Sequence, residues 1–148
     1  MMAVYKLHEE SICYRDLKPE NVMLAAHGDN NTVKLIDFNT AKYINKFATY
    51  KTFTKVGTKI YQDPVINQCD EYCAFSADIW SAGILLYQLV TGSNEPHFGQ
   101  EWESVSPICR NLIEKLLNTN AYKRPKAFQV LMHPFIKMSV QEYADYLG

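Results

Sequence analysis

Four side chains in the first quarter of the chain could perform one kind of chemistry together. Asp16, Lys18 and Asn21 fall within six residues, and Asp37 follows two short apolar runs and the turn between them. Two carboxylates, an ammonium and an amide form a set suited to phosphoryl transfer. One carboxylate can orient an attacking hydroxyl and accept its proton, the cation can offset charge building on the transferred group, and the remaining hard oxygens can hold magnesium.

Such a set works only if the backbone returns residue 37 to residue 16. Residues 22–24 and 33–36 are short apolar runs, and His27-Gly28-Asp29-Asn30-Asn31 between them tolerate the positive φ of a turn, so a β-hairpin is expected there. Helices should surround it. Residues 3–10 read as the end of an amphipathic helix, with Val4 and Leu7 toward a core. Ser76 is placed to cap a helix over 76–91, which Gly92 stops. Ile79, Trp80, Ile84, Leu85, Leu86, Leu89 and Val90 make that helix apolar on nearly every face, so it should be the buried central element, and it is too short for the roughly 20 apolar residues of a membrane span. A further helix starts at Ser106-Pro107, with Ile108, Leu112, Ile113, Leu116 and Leu117 as its inner stripe. Pro125 and Pro134 bracket a short helix, and Ser139-Val140-Gln141-Glu142 reads as a capping box opening a last one within residues 138–148. Residues 39–72, rich in Thr, Lys and Tyr and without periodicity, read as a long surface loop of functional length. The expected fold is mainly α: a helical lobe over 1–137 carrying a small hairpin, then a short terminal helix.

The 148 residues are 47% hydrophobic, enough for one domain with a real core. Fifteen basic and sixteen acidic residues leave a net charge of −1, which gives no field favouring nucleic acid or an anionic membrane. The opening residues hold too short an apolar run for a signal peptide and carry Glu9 and Glu10, so a cytoplasmic location is expected. Cys13, Cys69, Cys73 and Cys109 form no CxxC pair and are expected to be reduced, buried thiols. A zinc site from Cys69 and Cys73 facing each other on one helix, with His97, is the weaker alternative, because metal ligands cluster more tightly.

The stretch Tyr14-Arg15-Asp16-Leu17-Lys18-Pro19-Glu20-Asn21 resembles the catalytic loop of eukaryotic protein kinases, with Tyr for the leading His, and Asp37-Phe38 stands in register downstream. The resemblance extends over residues 3–137. It implies Asp16 as catalytic base, Lys18 as γ-phosphate contact, and Asn21 and Asp37 as magnesium ligands, with ATP and Mg as cofactors and a protein substrate or a partner kinase as partner. Val56-Gly57-Thr58 and Tyr61 resemble the loop that receives the substrate residue, where Thr58 would bond to Asp16 and Lys18. Asp78-Ile79-Trp80-Ser81-Ala82-Gly83 resembles the central helix whose Asp anchors the catalytic loop. Tyr14, Phe38 and Asp78 would form the lower half of the regulatory spine, and Met23, Leu85 and Leu89 would lie beneath the adenine. Thr54 stands where such kinases are often phosphorylated, with Arg15 to pair with the phosphate. Lys18 after Asp16 and Thr58 after Gly57 match the serine/threonine version of the site. Arg110-Asn111-Leu112-Ile113-Glu114-Lys115-Leu116-Leu117, Lys123-Arg124-Pro125 and His133-Pro134-Phe135-Ile136 look most like the calcium/calmodulin-dependent and calcium-dependent kinases.

Several positions depart from the family. Asn39 replaces the Gly after Asp-Phe and is expected to take its positive φ. Asp63-Pro64-Val65 replaces Ala-Pro-Glu, so Val65 removes the Glu expected to pair with Arg124, and the anchor of the loop should be weakened. Residues 93–101 are too few for the helix usual there. No GxGxxG stretch, strand Lys or helix Glu of a small lobe occurs in these residues. They are therefore expected to form a large lobe alone that transfers no phosphate in isolation, and a noncatalytic binding module or a truncated remnant is the alternative.

Overall fold

The helix α3 (Ala74–Thr91) is the axis on which the rest is assembled. Its alanines and Gly83 let neighbours approach, and a Cβ on Gly83 would stand 2.7 Å from the Leu117 side chain. Against that face packs α5 (Pro107–Leu116), whose Leu112 and Leu116 join Ile79 and Ala82 in the main core. The Ser106 hydroxyl caps α5 by accepting from the Cys109 N–H, as the Ser-Pro pair predicts. Gly92 ends α3 in the left-handed region, φ 72°, and donates its N–H to the Gln88 carbonyl.

A computed structural model describes residues 1–24, 32–45, 51–93 and 95–137. The remaining elements are α1 (Met2–Glu9), β1 (Ile12–Cys13), β2 (Val22–Leu24), β3 (Val33–Leu35), β4 (Lys42–Tyr43), β5 (Lys51–Thr52), α2 (Val65–Gln68), β6 (Tyr72–Cys73), α4 (Gln100–Ser104) and α6 (Ala127–Leu131). Single 3₁₀ turns lie at Pro19–Asn21, Lys59–Tyr61 and Ala121–Lys123. The strands form three antiparallel pairs, β1 with β4, β2 with β3 and β5 with β6. The β2–β3 register sets Val22 opposite Leu35 and Leu24 opposite Val33. That pairing returns the chain from Asn21 to Asp37, and the Ile36 N–H donates to the Asn21 carbonyl at 3.0 Å.

Several expectations need correction. α3 starts at Ala74, and Ser76 is not its cap: the Ser76 hydroxyl donates to the Ala121 carbonyl instead, tying α3 to the turn before Arg124. The same helix is not buried on every face, because Leu89 and Val90 near its C-terminus are exposed. Residues 39–72 are more than a surface loop. Ile44, Thr52, Tyr61, Ile66 and Tyr72 are buried, and β4 and β5 pair with strands far away in sequence. Cys69 ends α2 and Cys73 lies in β6, so the two share no helix; Cys69 is exposed, while Cys13 and Cys109 are buried. Among the described residues between Gly92 and Gln100 there is no helix, and α4 buries Trp102 against Tyr87. The turn at 27–31 and the capping box at 139–142 lie outside the described residues.

Candidate active site

The loop carrying Asp16 is hung from α3 by one buried carboxylate. Asp78 accepts the Tyr14 N–H at 2.9 Å through one oxygen and the Arg15 N–H at 2.7 Å through the other. This holds Arg15 at φ 69°, a left-handed conformation that costs a non-glycine residue on the order of 1–3 kcal/mol and persists because its surroundings impose it. His8, from α1, adds a third contact to Asp78 at 2.8 Å and packs edge-on against Phe75. Sequence reasoning singled out Asp78 but missed His8. Seventy residues separate them, and nothing local marks the pair.

Beyond that anchor, four of the expected site residues meet. The Asp16 Oδ1 accepts both the Thr58 hydroxyl at 2.7 Å and the Thr58 N–H at 2.9 Å. The Lys18 ammonium bridges the Asp16 Oδ2 at 3.0 Å and the Thr58 Oγ1 at 2.8 Å. Asn21 donates its amide N–H to the Asp16 carbonyl at 2.9 Å and to the Asp16 Oδ2 at 3.1 Å. Gly57 permits this closeness. Its φ is +102°, and a Cβ there would stand 2.5 Å from the Arg15 carbonyl oxygen. Burial pushes the Asp16 carboxyl upward, but hydrogen bonds from Thr58 and Lys18 outweigh it and hold the group below its ordinary value. The hydrogen bond to Asp16 in turn raises the Lys18 ammonium, with the charges of Asp16, Glu20 and Asp37 adding to it. Asp16 is therefore an ionised, oriented carboxylate at neutral pH, with a cation beside it.

Asp37 is placed differently. It is exposed, has φ 58°, and its Oδ1 accepts the Asn39 N–H at 3.1 Å. The positive φ expected at Asn39 thus falls on Asp37 instead, two residues earlier, so Asn39 carries no conformational strain in place of the family's Gly. Phe38 is half exposed, and its ring meets Tyr14 edge-on at 5.4 Å. The Tyr14 hydroxyl donates to the Ile36 carbonyl, tying the residue after β3 to the loop. Burial, followed by the charges of Asp16 and Asp37, pushes the Tyr14 phenol up to about 12, so it stays a neutral donor. Met23 is exposed on β2, Leu85 is partly buried against the main core, and Leu89 is exposed.

Arg15 reaches the other way. Its Nε donates to the Thr40 carbonyl at 2.7 Å, and one terminal nitrogen lies 3.4 Å from the Thr54 carbonyl. The Thr54 hydroxyl lies 3.5 Å from the Lys42 ammonium. The expected defect at Arg124 is absent. Both of its terminal nitrogens donate to the two carboxylate oxygens of Asp63, a fork that is 1% exposed on each side, while its Nε donates to the Asn118 carbonyl and its guanidinium lies over the Trp80 ring at 4.8 Å. Val65 removed no partner, because the carboxylate stands two residues earlier in the chain. Asp63 was the residue that sequence reasoning missed, and its replacement of the family's Ala was the available signal.

The model of the protein kinase domain matches residues 1–136. The chain belongs to the protein kinase family. It is 33% identical over 151 residues to Calcium-dependent protein kinase 3 of Plasmodium yoelii yoelii, covering 88% of this chain and 27% of that protein. It is also 33% identical over 153 residues to the Calcium/calmodulin-dependent protein kinase type II alpha chain of Drosophila melanogaster, covering 90% of this chain and 28% of that protein. Human Serine/threonine-protein kinase DCLK3 is 33% identical over 156 residues, covering 91% and 23%. Its kinase relatives are thus serine/threonine kinases, calcium-dependent and calmodulin-dependent ones among them. The chain spans about a quarter of the length of these curated relatives.

Proposed function

We propose that these residues form the acceptor-side lobe of a protein serine/threonine kinase, residues 1–137 being its large lobe. The observation that carries this reading is the Asp16–Thr58–Lys18 arrangement. One oxygen of Asp16 is fixed by two bonds from Thr58, and the other faces Lys18 and Asn21. Asp16 orients the hydroxyl of an incoming Ser or Thr and takes its proton as the oxygen attacks, while Lys18 offsets charge on the transferred phosphoryl. Thr58 holds Asp16 in one rotamer and keeps it ionised.

Asn21 and Asp37 offer hard oxygen donors, the type magnesium takes, and the Asp37 carboxylate is exposed. Among the described residues no cluster of three acidic, His or Cys side chains could hold a metal ion, so two donors suffice only where nucleotide phosphates complete the shell. Bound there, Mg–ATP would supply the phosphoryl group. These residues alone carry no Gly-rich loop, strand Lys or helix Glu, so they should neither bind ATP tightly nor phosphorylate peptides. Joined in frame to a kinase small lobe, they should phosphorylate Ser/Thr peptides, and Asp16→Asn should abolish it. A joined protein that binds ATP yet transfers nothing would refute the reading. A noncatalytic docking module, in the cytoplasm, is the second reading, favoured by the exposed Met23, Leu24, Val33 and Phe38 beside the loop.

Thr54 is the regulatory position in this reading. Arg15 and Lys42 stand ready to pair with a phosphate on it, which should order the segment around Thr54. Phosphorylated Thr54 should slow proteolysis of that segment, and unchanged cleavage would refute the role.

A further inference from the structure

The chain as a whole is nearly neutral, yet one segment is not. Between Asp37 and Asp63 lie Lys42, Lys46, Lys51, Lys55 and Lys59 and no acidic residue, a local charge of +5 in a chain of net −1. Two of these lysines are engaged within the fold. Lys51 pairs with Glu71 at 3.2 Å, and Lys42 lies 3.2 Å from the Thr52 hydroxyl. Lys55 and Lys59 are exposed, and their ammonium groups have no partner among the described residues. They flank Gly57-Thr58, the pair pressed against Asp16.

The floor beneath them is fixed and neutral. The Ser81 hydroxyl donates to the Tyr61 carbonyl at 2.7 Å, the Tyr61 hydroxyl donates to the Gln88 Oε1 at 2.6 Å, and the Gln62 amide donates to the Val56 carbonyl at 3.0 Å. The negative groups nearby are Asp16, already held by Lys18 and Thr58, and exposed Glu20, whose charge adds to burial in raising the Tyr61 phenol. Glu20 acts on Lys18 and Tyr61, and no carboxylate among the described residues pairs with Lys55 or Lys59. A peptide that brings a hydroxyl to Asp16 approaches Thr58, which the exposed Lys55 and Lys59 flank in the chain.

We infer that the surface over residues 55–60 receives an acidic peptide, with Asp or Glu close to the Ser or Thr that reaches Asp16. This rests on the kinase reading for the meaning of Asp16 but not for the binding itself. Rim charges of this kind act mainly on encounter and partner choice, and their effect fades with salt.

The test is fluorescence anisotropy of the 148-residue chain with two labelled peptides of equal length, one serine among glutamates and one serine among arginines. The acidic peptide should bind more tightly, and should weaken as salt rises. Lys55→Glu/Lys59→Glu should reduce its affinity by about tenfold or more and reverse the preference, whereas Lys115→Glu/Lys137→Glu, equal in charge but on and beyond the distant helices, should leave it within about twofold. Equal binding of both peptides, no binding of the acidic one, or an acidic-peptide affinity unmoved by reversal at 55 and 59 would overturn the inference. Because anisotropy needs neither ATP nor turnover, failure of phosphoryl transfer would leave a positive result standing. Phosphorylation of the arginine peptide in preference by the joined protein would overturn the inference and spare the kinase reading.

Discussion

Asp63 and Asp16 each hold a basic side chain, yet their surroundings are opposite. The Asp63–Arg124 fork is 1% exposed on both sides, whereas Asp16 and Lys18 are 11% and 22% exposed at their side chains. A buried pair stripped of one member leaves a charge that water cannot reach, so the first pair fixes the fold. The second pair is less enclosed, so water can reach its charges and losing one member should cost the fold less. The chain thus separates two uses of charge, one to lock residues 61–66 onto α3 and the turn before Arg124, the other to hold an oriented, ionised carboxylate beside a cation.

Removing Asp63 should break this contrast most visibly. Asp63→Ala leaves Arg124 buried and unpaired and should cost about 3–5 kcal/mol, read from denaturant unfolding. A double-mutant cycle with Arg124→Ala should give strong coupling, and near-zero coupling would mean that the fork is incidental. Val65→Glu sharpens the point. Arg124 already has its partner, so this change should show no coupling with Arg124→Ala, and it should loosen the packing of Val65 against the Cys13, Ile44 and Ile66 cluster.

Next in size is Gly57→Ala. The positive φ and the 2.5 Å approach to the Arg15 backbone oxygen leave no room, so the loop must shift, at a cost of about 1–3 kcal/mol. The same shift should carry Thr58 away from Asp16 and lower any phosphoryl transfer by the joined protein. A variant of unchanged stability would mean that the loop lies off Arg15 in solution.

Which of these features the sequence makes legible follows from the range over which each one acts. α5 is written locally, in the Ser106-Pro107 start and the apolar stripe, and is found where expected, while β2 and β3 pair across turn residues that lie outside the described ones. The start of α3 is misjudged because Ser76 is a good cap in isolation, and only the fold reveals that its hydroxyl serves Ala121. The strands within residues 39–72 are two residues each and owe their existence to partners at Ile12–Cys13 and Tyr72–Cys73, so no period marks them. Asp63 with Arg124 and His8 with Asp78 join across 61 and 70 residues, a distance that spacing cannot report. Asp16, Lys18, Asn21 and Thr58 were legible through motif identity, and the structure brings them together; their chemical roles remain for experiment.

The smallest stability effect should come from Asp16 itself. Its folded pKa is depressed, so its contribution is complete above the ordinary carboxylate value of about 3.9 and is lost as pH falls through the lower folded value. The stability difference between the native chain and Asp16→Asn should therefore shrink on acidification from pH of about 6 to about 3. A difference that grows in acid would reverse the sign of the shift.

Asp16→Asn in the chain joined to a small lobe tests the separation of fold from chemistry most directly, with stability and peptide phosphorylation measured on one preparation. Unfolding should move by less than about 1 kcal/mol while the transfer rate falls at least about a hundredfold. Transfer at the native rate, or a loss of transfer that merely tracks a loss of folded protein, would contradict it.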